Sequence, residues 1–278
     1  MTIGVDLGGT NIRAGIRVED AVADRRQTGL SNKNSLEHTL RQLKDLIRPL
    51  MSDRIRGIGV AVPSIVDTAH GVVYNVVNIP SWERVELKSI LENEFGIPVQ
   101  IENDANCFAL GEHLHGKAKG YRTVVGITLG TGVGSGLILD GRIFRGSNGG
   151  AGEVGYLNYR DRDFEFYGGS FFFAEMHKTN AHDLYQKALD GDSHARGIWI
   201  EYGKHIGELI KSTVYAYDPE AIVFGGSIAN AYVFFEPSFR RAISENFHFP
   251  RSMQALSVLR SENENIILLG ASSLVNAQ

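Results

Sequence analysis

The sequence predicts two related α/β domains with a cleft between them, and two observations support this prediction. A short apolar strand, a glycine turn and a second strand open each half of the chain, once over 2–18 and again over 123–139. At 278 residues the chain is also long enough to bury two cores of ordinary size. Because no low-complexity linker separates the halves, we expect any hinge between them to be short.

The first half alternates between strand and helix patterns. Residues 2–7, 12–18 and 22–28 are typical of a meander, and leucine and isoleucine then recur at helical spacing over 35–51. The uninterrupted apolar run over 55–62 predicts a buried strand. Further predicted elements are a helix over 86–95, a strand over 98–102 and a helix over 105–115.

The second half repeats this order. A buried strand over 123–128, a glycine-dense turn and a second strand precede a long helix over 193–217 and a buried strand over 221–224. We therefore expect an N-terminal domain of residues 1–106, completed by a C-terminal helix over 268–278. The other predicted domain spans 107–267.

Composition excludes several classes of protein. The net charge is −4, from 28 basic and 32 acidic residues without a long run of either sign, so nucleic-acid binding is not expected. No apolar run approaches the roughly 18 residues that span a bilayer, so no membrane partner is expected. The single cysteine, Cys107, excludes an internal disulfide and a multi-cysteine zinc site. We expect a cytoplasmic protein.

The opening turn, Asp6-Leu7-Gly8-Gly9-Thr10-Asn11, predicts a nucleotide–metal site. Gly8 and Gly9 let bare backbone approach a bulky anion, and their N–H groups and the Thr10 hydroxyl can face phosphate oxygens. Asp6 suits such a place only if a divalent cation lies between its carboxylate and the anion. An ordinary hairpin turn is the alternative. The spacing excludes a P-loop, and the following strand excludes a dinucleotide fingerprint.

Three further segments are rich in glycine or in polar residues. Thr128-Leu129-Gly130-Thr131-Gly132 is a second backbone-rich turn, and Phe224-Gly225-Gly226-Ser227 would let a flat ring approach the backbone. Glu102-Asn103-Asp104-Ala105-Asn106 places polar groups at a strand end and a helix start. Helix capping is a common role for Asp104, but Asn103, Asp104 and Asn106 cannot all cap one helix.

Taken together, these segments resemble the ROK family of sugar kinases over essentially the whole chain. The resemblance extends through Pro80-Ser81-Trp82 and through Gly149-Gly150-Ala151-Gly152-Glu153-Val154-Gly155, which is similar to the family's sugar-binding loop. It implies the two-domain actin-like ATPase fold, which is ribonuclease-H-like, with an interdomain cleft.

The resemblance also implies roles for individual residues. Asp104 matches the catalytic base that takes the proton from the 6-hydroxyl of the sugar. Sugar ligands would be Asn78, Asn103 and Glu153. The ATP phosphates would lie against Gly8, Gly9, Thr10, Asn11, Gly130, Thr131 and Gly132. Gly225 and Gly226 would line the adenosine pocket, and Asp6 would act on Mg²⁺ indirectly, by orienting its shell.

Three departures from the family pattern concern the sugar side. Tyr156 stands where the family usually has a histidine, so we expect it to pack against the Glu153 loop and to donate a hydrogen bond to the sugar. The alternative is a ring that only fills the space left by the missing loop. The family's cysteine-rich zinc loop is absent, so no structural zinc site is expected. The segment Pro63-Ser64 replaces the usual Pro-Gly. Glu165 matches either a second sugar-binding glutamate or a surface carboxylate.

The expected activity is ATP-dependent phosphorylation of a hexose at its 6-hydroxyl, with glucose as the first choice. N-acetylmannosamine, N-acetylglucosamine, mannose and fructose remain alternatives, as does a non-catalytic sugar-binding or regulatory protein. A repressor of this family would carry a DNA-binding segment before the first glycine turn, which here begins near the start of the sequence. A homodimer is expected.

Overall fold

A computed structural model describes residues 1–76, 78–245 and 247–276. The strands are β1 Thr2–Leu7, β2 Asn11–Val18, β3 Ala21–Gly29, β4 Ile58–Val62, β5 Ile65–Asp67, β6 Val72–Tyr74, β7 Arg84–Val85, β8 Val99–Asn103, β9 Val124–Leu129, β10 Val133–Leu139, β11 Arg142–Ile143, β12 Asn158–Tyr159, β13 Arg162–Asp163, β14 Ala221–Gly225 and β15 Ser257–Arg260. The helices are α1 Leu36–Ile47, α2 Leu87–Phe95, α3 Asp104–His115, α4 Phe164–Gly168, α5 Ala181–Leu189, α6 Ser193–Tyr217, α7 Tyr232–Ser244, α8 Pro250–Ala255 and α9 Ile266–Ser273.

The chain divides into two compact units. Unit 1 comprises Met1–Lys119, Arg142–Ala151 and the C-terminal residues from Glu262, and unit 2 comprises Gly120–Gly141 and Gly152–Ser261. The division into domains 1–106 and 107–267 stays a prediction. The compact units differ from it by assigning 107–119, 142–151 and 262–267 to unit 1. The first of these differences arises because α3 runs unbroken from Asp104 to His115. The predicted helix over 268–278 ends on residues outside the described range.

Unit 1 is built on a mixed sheet with the strand order β3-β2-β1-β4-β8. β1 pairs antiparallel with β2 and parallel with β4, and β4 pairs parallel with β8. The helix α9 packs very closely on this sheet. A β-carbon added at Gly4 would lie 2.0 Å from the Leu268 carbonyl oxygen, and one at Gly59 would lie 1.7 Å from that of Ala271. Glycine on β1 and β4 therefore lets the C-terminal helix complete unit 1.

Unit 2 has a sheet in which β10, β9, β14 and β15 are neighbours in that order. β9 and β10 form an antiparallel hairpin, and β14 pairs parallel with both β9 and β15. The long helix α6 contributes Trp199 and Tyr202 to a core rich in aromatic rings. Each unit therefore begins with an antiparallel hairpin that continues into parallel strands.

Local sequence explains where the principal helices begin and end. The Ser35 side chain accepts a bond from the His38 N–H and so caps α1. The predicted helix over 35–51 is shorter in the structure because α1 gives way to a 3₁₀ turn at Arg48–Leu50, where Pro49 has no N–H to donate. In the described part of the chain, no helix is both long and apolar enough to cross a bilayer.

Candidate active site

The first glycine turn, in unit 1, joins β1 to β2 and places Asp6 opposite Arg13. The Arg13 side chain donates through Nε, at 3.0 Å, and through Nη2 to the same carboxylate oxygen, Oδ2. Burial raises the pKa of Asp6, and the charge of Arg13 offsets part of this rise. Both bonds fall on Oδ2, so Oδ1 is the oxygen with which Asp6 could orient water around a cation.

The tip of this turn is open and tightly wound. The Gly8 N–H donates to the Asn11 carbonyl at 2.9 Å, while Thr10 and Asn11 are exposed. Gly8 and Gly9 do not adopt the left-handed conformation that several other glycines adopt. Their value lies instead in clearance, because a β-carbon at Gly8 would lie 3.1 Å from the Asn11 carbonyl oxygen. The turn can therefore present backbone and hydroxyl groups to an anion.

In the polar segment at the start of α3, Asn103 is the residue that caps the helix. Its Oδ1 accepts from the N–H groups of Ala105 at 2.9 Å and Asn106 at 3.1 Å. Its Nδ2 donates to the Ser64 carbonyl at 3.2 Å. Asp104 is the first residue of the helix, half-buried, and is not the capping residue. The predicted role of Asn103 as a sugar ligand stays a prediction, since both ends of its amide already bond to the protein.

Glu102, which precedes this segment, is buried and accepts three bonds. Its Oε1 accepts from the Asn103 N–H at 2.9 Å and from Asn106 Nδ2 at 3.0 Å. Its Oε2 accepts from Arg145 Nε at 2.5 Å. The carboxylate thus holds both the residue that caps α3 and a side chain from its first turn.

Asn78 lies in the loop between β6 and β7. It is exposed and has a φ of 65°, a left-handed conformation that asparagine adopts more readily than most residues. Bonds from the Ile79 N–H to the Val76 carbonyl and from the Trp82 N–H to the Ile79 carbonyl close the loop around it. Its side chain is therefore available to a ligand.

The second glycine turn, in unit 2, is held by Glu165. The Glu165 Oε2 accepts from the Val133 N–H at 2.6 Å, and the Gly130 N–H donates to the Gly132 carbonyl at 3.0 Å. A β-carbon at Gly132 would lie 1.8 Å from Glu165 Oε1, so only glycine leaves room for this carboxylate. Glu165 thus contacts the turn predicted to bind phosphate, a contact that neither sequence-based alternative for Glu165 anticipated.

The loop that carries Glu153 is held on both sides by Ser135 of β10. The buried Ser135 hydroxyl donates to the Gly152 carbonyl and accepts from the Val154 N–H at 3.2 Å. Glu153 lies between these two anchored residues and is half-buried. Its backbone position is therefore fixed by a side chain from the strand that follows the second glycine turn.

Three ionisable groups of unit 2 influence one another. Burial raises the pKa of Glu153, and the charge of Glu165 raises it further. The Glu165 charge, then burial and the charge of Glu153, also raise the pKa of Tyr156. The Tyr156 side chain is 68% exposed, so its ring does not fill a space inside the protein. Glu165 therefore lies close enough to Glu153 and Tyr156 for its charge to affect the pKa of both groups.

The glycine pair after β14 lies beside the second glycine turn. Gly225 pairs with Thr128 of β9, and Gly226, at φ 86°, approaches so closely that a β-carbon would lie 2.3 Å from the Leu129 carbonyl oxygen. A cavity of about 390 Å³ begins at the next residue, Ser227. Its other lining residues include Tyr185, Gln186, Trp199, Asn230 and Arg260.

The cavity lies close in the chain to the residues that pair with the strand before the second glycine turn. It begins two residues after Gly225, and Gly225 pairs with Thr128 of β9, which leads into the Gly130–Gly132 turn. Among residues 1–76, 78–245 and 247–276, no three histidine, cysteine, aspartate or glutamate side chains form a group that could hold a metal ion. Asp6 is paired with Arg13, and its indirect role toward Mg²⁺ stays a prediction.

The sequence alone did not point to several of the residues that hold the candidate site in place. Ser64 and Glu102 accept bonds from Asn103. Ser135 bonds to the residues on either side of Glu153, and Arg145 donates to Glu102. The signal for Ser135 is a hydroxyl on a buried strand inside a glycine-rich run. The signal for Glu102 is a carboxylate at the buried end of a strand, which needs a partner.

Comparison with known proteins identifies relatives of the chain. The sequence model of the ROK family matches residues 2–165 and 167–278. A glucokinase from Thermotoga maritima is 26% identical over 307 residues, covering 98% of this chain and 96% of that protein. A xylose repressor from Bacillus spizizenii is 26% identical over 299 residues, covering 99% of this chain and 76% of that protein.

Comparison with solved structures identifies the fold. A ROK family glucokinase from Streptomyces griseus, solved in complex with glucose and AMPPNP, matches with a TM-score of 0.84 at 24% sequence identity, covering 100% of this chain and 99% of that one. The chain has the two-domain actin-like ATPase fold, as the sequence predicted.

Proposed function

The chain belongs to the ROK family, and from that premise we propose that it transfers a phosphoryl group from ATP to the 6-hydroxyl of a hexose. The observation that carries the proposal is the start of α3. Asn103 caps that helix by accepting from the Ala105 and Asn106 N–H groups, and the Asp104 Oδ1 accepts from the Ala105 N–H at 2.8 Å. In this proposal the half-buried Asp104 carboxylate at the start of α3 is the general base. Base catalysis of this kind contributes roughly 10²- to 10⁴-fold in rate.

The remaining residues bind and orient the two substrates. In this proposal the exposed Thr10 hydroxyl and the backbone of the two glycine turns contact the phosphates, and the cavity at Ser227 takes the adenosine. Phosphoryl transfer depends mainly on positioning and on charge stabilisation. When bound, Mg²⁺ would neutralise charge on the phosphates, with Asp6 orienting its water shell through Oδ1.

On the acceptor side, Asn78 and Glu153 bind hydroxyl groups of the sugar, and Tyr156 offers its exposed ring and phenol. Glucose is the proposed acceptor, supported by the Thermotoga maritima glucokinase among the relatives. A kinase for N-acetylmannosamine, N-acetylglucosamine, mannose or fructose would use the same base and the same glycine turns, and would differ in the contacts around Tyr156.

A sugar-binding protein without kinase activity is the second candidate, favoured by the likeness to a xylose repressor over 99% of this chain. Such a protein would need the sugar contacts but not a general base. The two candidates therefore differ in whether Asp104 matters beyond ligand binding.

The substitution Asp104→Asn tests the proposal. The amide keeps the shape and hydrogen bonding of the side chain but cannot accept the proton, so we expect turnover to fall by about 100-fold or more. Affinity for the sugar, measured by isothermal titration, should stay within a few-fold of the wild-type value. The matched control is Asp45→Asn, which should retain full turnover. Asp45 is an exposed carboxylate on α1 that pairs with Arg48. Near-normal turnover of Asp104→Asn would contradict the proposal.

A further inference from the structure

The segment Arg142–Ala151 belongs to unit 1, although the chain on both sides of it, Gly120–Gly141 and Gly152–Ser261, belongs to unit 2. Its far end leads within two residues to Glu153, the proposed sugar ligand. The contacts that hold this segment therefore affect the position of Glu153.

One contact between this segment and the rest of unit 1 is the ion pair between Arg145 and Glu102. Arg145 Nε donates to Glu102 Oε2 at 2.5 Å, and the side chains are 40% and 3% exposed, respectively. Hydrogen bonds between two charged groups are roughly twice as strong as neutral ones. A carboxylate as buried as Glu102 also depends on its partners, because an unpaired buried charge is costly.

Each residue of the ion pair is connected, through a hydrogen bond and a short stretch of chain, to a proposed functional residue. On one side, Glu102 Oε1 accepts from the N–H of Asn103, which caps α3 directly before Asp104. On the other side, the Arg145 carbonyl accepts from the Ala151 N–H at 3.2 Å and closes the segment into a loop. Bonds and short chain segments therefore connect Asp104 to the residues that precede Glu153.

We propose that the Glu102–Arg145 pair is a positioning link that holds the general base and the sugar-binding loop in register. Neither residue touches the substrates; both act through Asn103 and through the loop 145–151. This inference rests on the proposed function. A displacement of about 1 Å can reduce an enzyme's rate on the order of 100-fold, so a link of this kind should appear mainly in kcat.

The test uses substitutions at both ends of the pair. Arg145→Met removes the charge from a side chain that is partly exposed, and the Glu102 Oε1 keeps its bonds from the Asn103 N–H and Asn106 Nδ2 in that variant. Glu102→Gln keeps the shape but removes the negative charge, and Arg145→Lys restores the positive charge without the planar guanidinium. Arg25→Met is the matched control, because Arg25 forms an exposed ion pair with Glu264 in the same unit.

Two readouts are combined, steady-state kinetics and hydrogen–deuterium exchange of peptides covering 99–106 and 145–154. We expect Arg145→Met and Glu102→Gln to lower kcat by about 10- to 100-fold. Both variants should raise deuterium uptake in the two peptides together. Arg145→Lys should recover part of kcat. The double variant of Arg145→Met and Glu102→Gln should have a kcat no lower than that of the slower single variant. Arg25→Met should change neither kcat nor deuterium uptake.

Two outcomes would overturn the positioning link. One is an unchanged kcat in Arg145→Met with only a lower melting temperature, which would leave the pair a stabilising contact. The other is increased uptake confined to one of the two peptides. If the wild-type protein phosphorylates no hexose, the proposed function fails by itself, and with it the role in positioning a catalytic base. In that case, deuterium uptake that rises in both peptides would still show that the ion pair links the two segments mechanically.

Discussion

At the residue scale, the role of Tyr156 stays a prediction, either a contact with the sugar or a ring that fills the space left by the missing loop. The structure places the ring at the surface, where it is 68% exposed. It shares its surroundings with Glu153 and Glu165, whose charges raise the pKa of its phenol. The phenol therefore stays protonated over the physiological range and can donate to a ligand.

The substitution Tyr156→Phe tests that role. If the phenol donates to a sugar hydroxyl, its loss should cost about 0.5–1.5 kcal/mol of binding, seen mainly as a raised KM for the sugar. Tyr215→Phe, at a similarly exposed ring on α6, is the control and should leave this KM unchanged. A lowered melting temperature in Tyr156→Phe with an unchanged KM would instead assign the ring to packing.

At the residue scale, the sequence could predict which residue types matter but not which atoms they use. It placed Asn103 and Asp104 together at a helix start, and the structure assigns the cap to Asn103. The support from Ser135 to the Glu153 loop joins residues far apart in the chain. Such a bond depends on how β10 and the loop pack, which no local pattern encodes.

At the scale of elements, the second glycine turn and the helix α4 depend on each other. α4 begins after Asp163, whose side chain caps it by accepting from the Phe166 N–H at 2.8 Å. The cap fixes the first turn of α4, and Glu165 on that turn reaches the Val133 N–H. The conformation of a turn predicted to bind phosphate is therefore set partly by a short helix that follows the Glu153 loop.

Gly132→Ala should disturb this arrangement, whereas Gly130→Ala should not. A β-carbon at Gly132 would lie 1.8 Å from Glu165 Oε1 and displace the carboxylate, while a β-carbon at Gly130 has no neighbour within 4 Å. Losing the bond between Glu165 and Val133 should cost about 1–3 kcal/mol, because the acceptor is charged. Thermal melting of the nucleotide-free protein measures this effect. Equal melting temperatures for the two variants would show that Glu165 does not support the turn.

Element boundaries followed the sequence closely where local signals were strong. The long helix predicted over 193–217 is α6, capped by Asp192 and ended by Asp218 in a left-handed conformation before Pro219. The predicted end of α1 was less accurate, because the leucine spacing continues through the 3₁₀ turn that follows the helix. Apolar periodicity alone does not distinguish these two helix types.

At the scale of the whole molecule, the repeated order of elements could be read from the sequence, whereas the division into domains 1–106 and 107–267 stays a prediction. Unit 1 collects residues from three separate parts of the chain. The contacts responsible, such as Gly4 and Gly59 against α9, depend on backbone approaching backbone across most of the sequence. Glycine in a strand pattern signals close approach without naming the partner.

The central claim is that the intact chain is an ATP-dependent hexose kinase, and a coupled assay across a panel of hexoses tests it most directly. The wild-type protein, supplied with ATP and Mg²⁺, is assayed against glucose, mannose, fructose, N-acetylglucosamine and N-acetylmannosamine, with Asp104→Asn as the blank. The account predicts turnover of at least one sugar, with glucose preferred, and NMR of the product should place the phosphate on the 6-hydroxyl. ADP release that does not depend on any hexose, or no turnover at all while a sugar binds by titration, would contradict it.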